Sequence, residues 1–162
     1  MKGWNLRSRE VAYLLNPAFC ARILYSTIKI YNEKAKFAFP FSLTYLVLPL
    51  VLHKESRASI NSRTKFLNWI QRYPQLLINF PKRTRELVQI TNEAIELLLQ
   101  TGYIRLTING ELEINPISRP LSQFSFIDDE IGECIIKGEH VARWFVEAGK
   151  VETIYIGLGV RP

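Results

Sequence analysis

Two histidines, His53 and His140, and two cysteines, Cys20 and Cys134, are the side chains of this 162-residue chain best suited to nucleophilic or metal chemistry. Cys134 and His140 stand six apart, on nearly opposite sides of one helix, so they form no local nucleophile–base pair. A metal site would need all four to converge without any CxxC or HxxxH spacing. Asp128-Asp129-Glu130 lacks further acids at ligand spacing, and its place at a helix start is explained by the helix dipole. Gly157-Leu158-Gly159 is no phosphate loop, because neither a third glycine nor a helix follows. No catalytic residue, cofactor site or metal site is therefore expected.

Charge offers more. The net charge of +6 is unevenly placed: residues 1–53 carry seven basic and two acidic side chains, residues 54–105 nine and four, and residues 106–162 five and nine. Arg72, Lys82, Arg83 and Arg85 cluster in the middle stretch, where they could contact DNA phosphates. The opposing reading is the solvated side of an amphipathic helix.

The elements that position these residues follow from periodicity. Asn16-Pro17 starts a helix as N-cap and first-turn proline, with Cys20, Ile23, Leu24, Thr27, Ile28 and Tyr31 on one face and an end near Asn32. Phe37–Leu52 is the most apolar run. It is too short for a membrane span, which needs about 20 apolar residues, and proline breaks it twice. Leu43, Leu46, Val47, Leu50 and Val51 share a helical face, which leaves Tyr45 and Leu48 opposite them for another subunit. Residues 56–63 read as a loop, and Thr64 introduces a helix over 65–72 that Tyr73-Pro74 ends.

Pro81 to Gln100 has the rhythm of one helix. Tyr103–Ile108 and Glu111–Ile114 alternate about Asn109-Gly110, which predicts a hairpin with a two-residue type I′ turn. Asn115–Gln123 reads as an extended crossing. A helix from Asp128 should turn Ile131, Ile135, Ala142 and Phe145 inward and end before Gly149, and alternation over Thr153–Val160 predicts a terminal strand. The expected fold is α+β and mainly helical: a winged-helix-like domain with a β-hairpin wing and a C-terminal strand. One domain over 1–162 is expected, with N-terminal helices at 16–72, helix plus wing at 81–114, and the last helix and strand at 128–162. Widely separated cysteines and a start without an apolar signal region point to a reduced, cytoplasmic protein. Glu86, Glu93 and Glu96 on the would-be recognition helix, with Glu111 and Glu113 in the wing, argue against base reading and favour protein contact.

At Asn16-Pro17-Ala18-Phe19-Cys20, Leu46-Val47-Leu48-Pro49-Leu50-Val51-Leu52-His53, Arg143-Trp144-Phe145 and Gly159-Val160-Arg161-Pro162, the chain resembles the middle component of three-component ABC ATPase systems. In particular it is similar to the small subunit of Lamassu-type bacterial defence complexes, over almost the whole chain and in the same order. Leu158 stands where such proteins often carry tryptophan. The resemblance implies a non-catalytic adaptor for anti-phage or anti-plasmid immunity. Its partners would be an SMC-like ATPase dimer and a nuclease-type effector, with DNA reached through the complex and no membrane. Tyr45, Leu48, His53, Leu158, Val160, Arg161 and Pro162 are then the expected partner interface. The alternatives are an autonomous winged-helix transcription regulator and a small hydrolase or nuclease.

Overall fold

The computed structural model describes residues 16–119, 121 and 129–161. Its centre is helix α1 (Pro17–Ala35). Asn16 caps it by accepting the Ala18 N–H at 2.8 Å, and Pro17 takes the first turn. The expected face, Cys20 to Tyr31, is buried. The helix runs past Asn32 to a left-handed cap at Lys36, whose N–H returns to the Asn32 carbonyl at 3.1 Å. Asn32 also fastens the hairpin, because its Oδ1 accepts the Ile114 N–H at 3.0 Å.

A short 3-10 turn (Phe41–Leu43) leads into α2 (Thr44–Val51), where Leu46, Val47, Leu48, Leu50 and Val51 are all 0 % exposed. A helix apolar all round has become the middle of the core. The first part of the loop expected over 56–63 is instead the end of helix α3 (Lys54–Ser59). The polar composition misleads because Arg57, at 2 % exposure, is held by tertiary bonds: Nη1 donates to the Val51 carbonyl at 2.9 Å, Nη2 to Glu130 at 2.7 Å and Nε to Glu133 at 3.2 Å.

Helix α4 (Phe66–Arg72) ends at Tyr73-Pro74 as expected, and a 3-10 turn (Pro74–Leu77) follows. The single helix predicted over 81–100 is two: α5 (Phe80–Glu86) and α6 (Val88–Gln100), divided at Leu87. The hydroxyls of Thr84 and Thr91, on either side, donate to carbonyls four residues back at 2.9 and 2.8 Å, a habit that bends helices. An apolar rhythm that continues across the break conceals it.

Strands β1 (Ile104–Leu106) and β2 (Leu112–Ile114) pair antiparallel, Leu106 opposite Leu112. Their turn is not type I′. Gly110 is left-handed while Asn109 is not; the Gly110 N–H bonds the Thr107 carbonyl at 2.9 Å and the Thr107 N–H bonds Glu111 at 2.8 Å. That is the three-residue loop, a type I turn followed by a left-handed residue. The third neighbour of this ribbon is Phe39, which exchanges two backbone bonds with Leu112. The expected crossing after Ile114 opens with a turn, Ser118 N–H to the Asn115 carbonyl at 3.1 Å, and Gln123 lies outside the described residues.

Helix α7 (Asp129–Ala148) packs along α1 and ends before Gly149 as expected; Asp128 lies outside the described residues. Gly138 is what permits the approach, since a Cβ there would come within 2.8 Å of Thr27 Oγ1. Phe66 and Trp69 of α4 meet Trp144 of α7 at ring separations of 5.8 and 5.2 Å, and the Trp144 indole donates to the Thr64 carbonyl at 2.7 Å.

The predicted terminal strand is helix α8 (Val151–Leu158). Ile154, Tyr155 and Leu158 are buried, a helical spacing, whereas Ile156 is 77 % exposed. An apolar residue on the solvent side imitated strand alternation. Gly159 closes the helix left-handed, with the Val160 N–H on the Tyr155 carbonyl and the Gly159 N–H on the Ile156 carbonyl, both at 3.0 Å, a Schellman cap. The fold is mainly helical α+β, with one two-stranded ribbon among the described residues.

Candidate functional site

His53 and His140 sit on different elements and serve local structure. His53 is the N-cap of α3: Nδ1 accepts the Ser56 N–H at 3.3 Å and lies 2.8 Å from the Ser56 hydroxyl. His140 Nδ1 lies 3.1 Å from Arg143 Nη1 on the same helix. Cys20 and Cys134 are both fully buried; burial, then the Cys134 thiol and the Glu93 carboxylate, push the Cys20 thiol up to about 12. A thiol so held is no nucleophile at neutral pH. Among the described residues no three His, Cys, Asp or Glu side chains gather as metal ligands, and no helix is long and apolar enough to cross a membrane.

Both histidines are held below their ordinary range, by burial first and then by neighbouring cations: Arg83 and Arg57 at His53, Arg143 and Lys137 at His140. At His53 the Glu55 carboxylate opposes this shift. A lowered histidine value favours the neutral folded form, so the stability it provides is complete above the unfolded value near 6.5. It is lost as pH falls through the folded value. Melting temperature followed by circular dichroism is expected to drop between about pH 7 and 5. His53→Asn with His140→Asn should flatten that drop, Asn being a good cap at 53. An unchanged pH slope in the double variant would show that other groups dominate.

The expected interface residues differ in exposure. Leu48 and Leu158 are 0 % exposed and belong to the core, so in this fold they offer nothing to another chain. Tyr45 is half-buried, its hydroxyl donating to Asn92 Oδ1 at 2.6 Å; His53 and Val160 are half-buried, Arg161 is exposed, and Pro162 lies outside the described residues. Of the expected phosphate contacts, Arg72, Lys82 and Arg85 are exposed. Arg83 is not free for such a role: Nη2 donates to the Leu76 carbonyl at 3.2 Å and the guanidinium lies 5.5 Å from the Phe80 ring centre. Burial lowers its affinity for a proton, against Glu55.

Of the nine large apolar side chains exposed among the described residues, four lie in or beside the hairpin, and Leu67, Ile78, Val88, Ile136 and Ile156 stand on other elements. Ile108 at the hairpin tip is 101 % exposed, Ile117 88 %, Phe37 75 % and Leu106 49 %. All four belong to the β1–β2 ribbon, its exit or the segment that leads into Phe39. A signal was present in the sequence, an isoleucine placed beside Asn109-Gly110 where turn chemistry favours polar residues.

A family model for the ABC-three component (ABC-3C) system Middle Component 3 matches residues 4–162. The chain belongs to this family. No curated protein and no solved structure matches it. As a Middle Component 3 protein it is one part of a three-component ABC system, and its surfaces are to be read as those of a subunit. The Asn16-Pro17 start serves as the cap of α1 in this Middle Component 3 fold, Leu46–Val51 as the core helix, and Trp144-Phe145 as the aromatic contact with α4.

Proposed function

We propose that this chain is the non-catalytic adaptor of its three-component system, a cytoplasmic subunit that joins an SMC-like ABC ATPase dimer to a nuclease-type effector in Lamassu-like defence. The family match over residues 4–162 supports its coarse part, a subunit of a three-component ABC system. Physical support comes from the hairpin, whose aliphatic side chains project into water at a cost that a partner's surface relieves. Ile108 and Ile117 serve as anchors, and the α1–α6–α7 framework holds the ribbon rigid through Asn32.

Co-expression with the two neighbouring subunits tests the proposal. The chain is expected to co-purify with the ATPase, and Ile108→Asp with Ile117→Asp should weaken that complex by about tenfold or more. Melting of the isolated variant should stay within about 0.5 kcal/mol of the parent, because both side chains are exposed. Assembly at undiminished affinity in the variant rules out the hairpin as the contact. Failure of the parent chain to co-purify rules out the adaptor.

A further inference from the structure

The chain carries 21 basic and 15 acidic residues, and residues 58–85 contain six of the basic ones and no acidic one. Without those six, 15 basic residues face 15 acidic ones, so the whole net charge of +6 originates in this stretch. Arg83 is engaged within the fold, as described above. Arg63, Lys65, Arg72, Lys82 and Arg85 are exposed, and among the described residues none of them enters an ion pair. What sets the stretch apart is its composition: exposed cations elsewhere, such as Lys29, Lys34, Lys54 and Lys150, have Glu33, Glu55 or Glu152 within five residues in sequence, whereas residues 58–85 contain no acid. Glu86, at the end of α5, is the first acid after this stretch.

Arg63 lies in the turn before α4, Lys65 and Arg72 at the two ends of α4, and Lys82 and Arg85 on α5, with the Pro74–Leu77 turn in contact with both helices. Lys65 and Arg72 bound α4, seven residues and about two turns apart, on one side of a helix about 10 Å long. Arg83 ties the Pro74–Leu77 turn to α5 by its bond to Leu76, and the same turn packs against α4. Between the cations in sequence lie the exposed amides of Asn68, Gln71, Gln75 and Asn79, which donate hydrogen bonds as readily as they accept them, together with exposed Leu67 and Ile78. The aromatic rings of the same stretch are spent on the core: Phe66, Trp69 and Phe80 are buried and Tyr73 is half-buried beneath Arg72, 5.7 Å from its guanidinium.

We infer that this face binds the phosphate backbone of a nucleic-acid duplex without reading its sequence. Cations flanked by amide donors suit phosphodiester oxygens, which take most hydrogen bonds in protein–DNA contacts. A duplex presents one charge per about 1.7 Å of axis, so a face the length of α4 meets about six. Unpaired single strands would need exposed rings to stack on, and this face has none to offer among the described residues. The inference is independent of the adaptor reading, since it concerns the isolated chain.

Fluorescence anisotropy of the full chain with a labelled DNA duplex of about 30 base pairs decides it. Neutralising five phosphates gives a log–log salt slope of about −4.5, an affinity loss of about 500-fold between about 50 and 200 mM salt. Arg72→Gln, Lys82→Gln and Arg85→Gln together should reduce the slope to about −2 and leave the melting temperature unchanged. Shuffling the duplex sequence should change nothing. No binding at low salt, a slope unaltered in the triple variant, or preference for anionic phosphatidylserine vesicles over the duplex would each overturn the inference.

Discussion

Arg57→Ala is expected to lower the unfolding free energy by about 3 kcal/mol, the cost of leaving a buried carbonyl with only a weak thiol donor and of removing charge-assisted hydrogen bonds. The guanidinium ties together three places that the backbone alone leaves separate: the Val51 carbonyl at the end of α2, its own helix α3, and Glu130 with Glu133 in the first turns of α7. The two carboxylates are 47 % and 43 % exposed and regain water when the arginine goes, so they add little to the loss. The Val51 carbonyl keeps only the weak Cys134 thiol donor at 3.8 Å, and the space left by the side chain adds a cavity. Urea denaturation should show the fall as a lower midpoint, and melting should drop by about 6–12 °C at this chain length. Arg57→Met keeps the aliphatic volume and should recover about half of the loss. Glu130→Gln and Glu133→Gln should each cost less than about 1 kcal/mol. An Arg57→Ala midpoint indistinguishable from the parent would mean that α3 is not held by this residue.

The second large effect concerns α2. Leu48→Ala is expected to cost about 3 kcal/mol in the isolated chain, within the range for a leucine truncated in a close-packed core. Its side chain is 0 % exposed and surrounded by the other apolar residues of the same helix and of α1 and α7. The outcome discriminates between two roles for this residue. A core leucine lowers the melting temperature of the chain by itself. An interface leucine leaves that temperature alone and weakens only the complex with a partner. Leu158→Ala, at a position equally buried, should follow the first pattern for the same reason.

These two residues also mark where local reading of this sequence fails. Leu48 was opposite the apolar stripe of α2, and a stripe has an outside only when something else does not surround it. Here α1, α3, α5 and α7 all pack near, so every side of α2 became inside. Arg57 lay in a polar stretch that reads as loop, because burial of an arginine depends on acceptors 73 and 76 residues away. The C-terminal segment shows the same limit. Alternation over Ile154, Ile156 and Leu158 suits a strand, but helix contacts with α4 and α7 bury Ile154 and Leu158 and leave Ile156 in water.

The sequence by itself determined the features whose causes are local. Asn16-Pro17 capped α1, Tyr73-Pro74 ended α4, period-two residues on either side of Asn109-Gly110 made a hairpin, and residues 58–85 held all of the surplus positive charge. Each depends on dihedral preferences, side-chain spacing or net charge within a few residues, so no distant partner is needed to fix it. Only the tertiary structure decided which apolar surface remained in water. Burial is a property of what packs on top: it closed over Leu48 and Leu158 and left Leu106, Ile108 and Ile117 of the hairpin and its exit in water, along with Phe37.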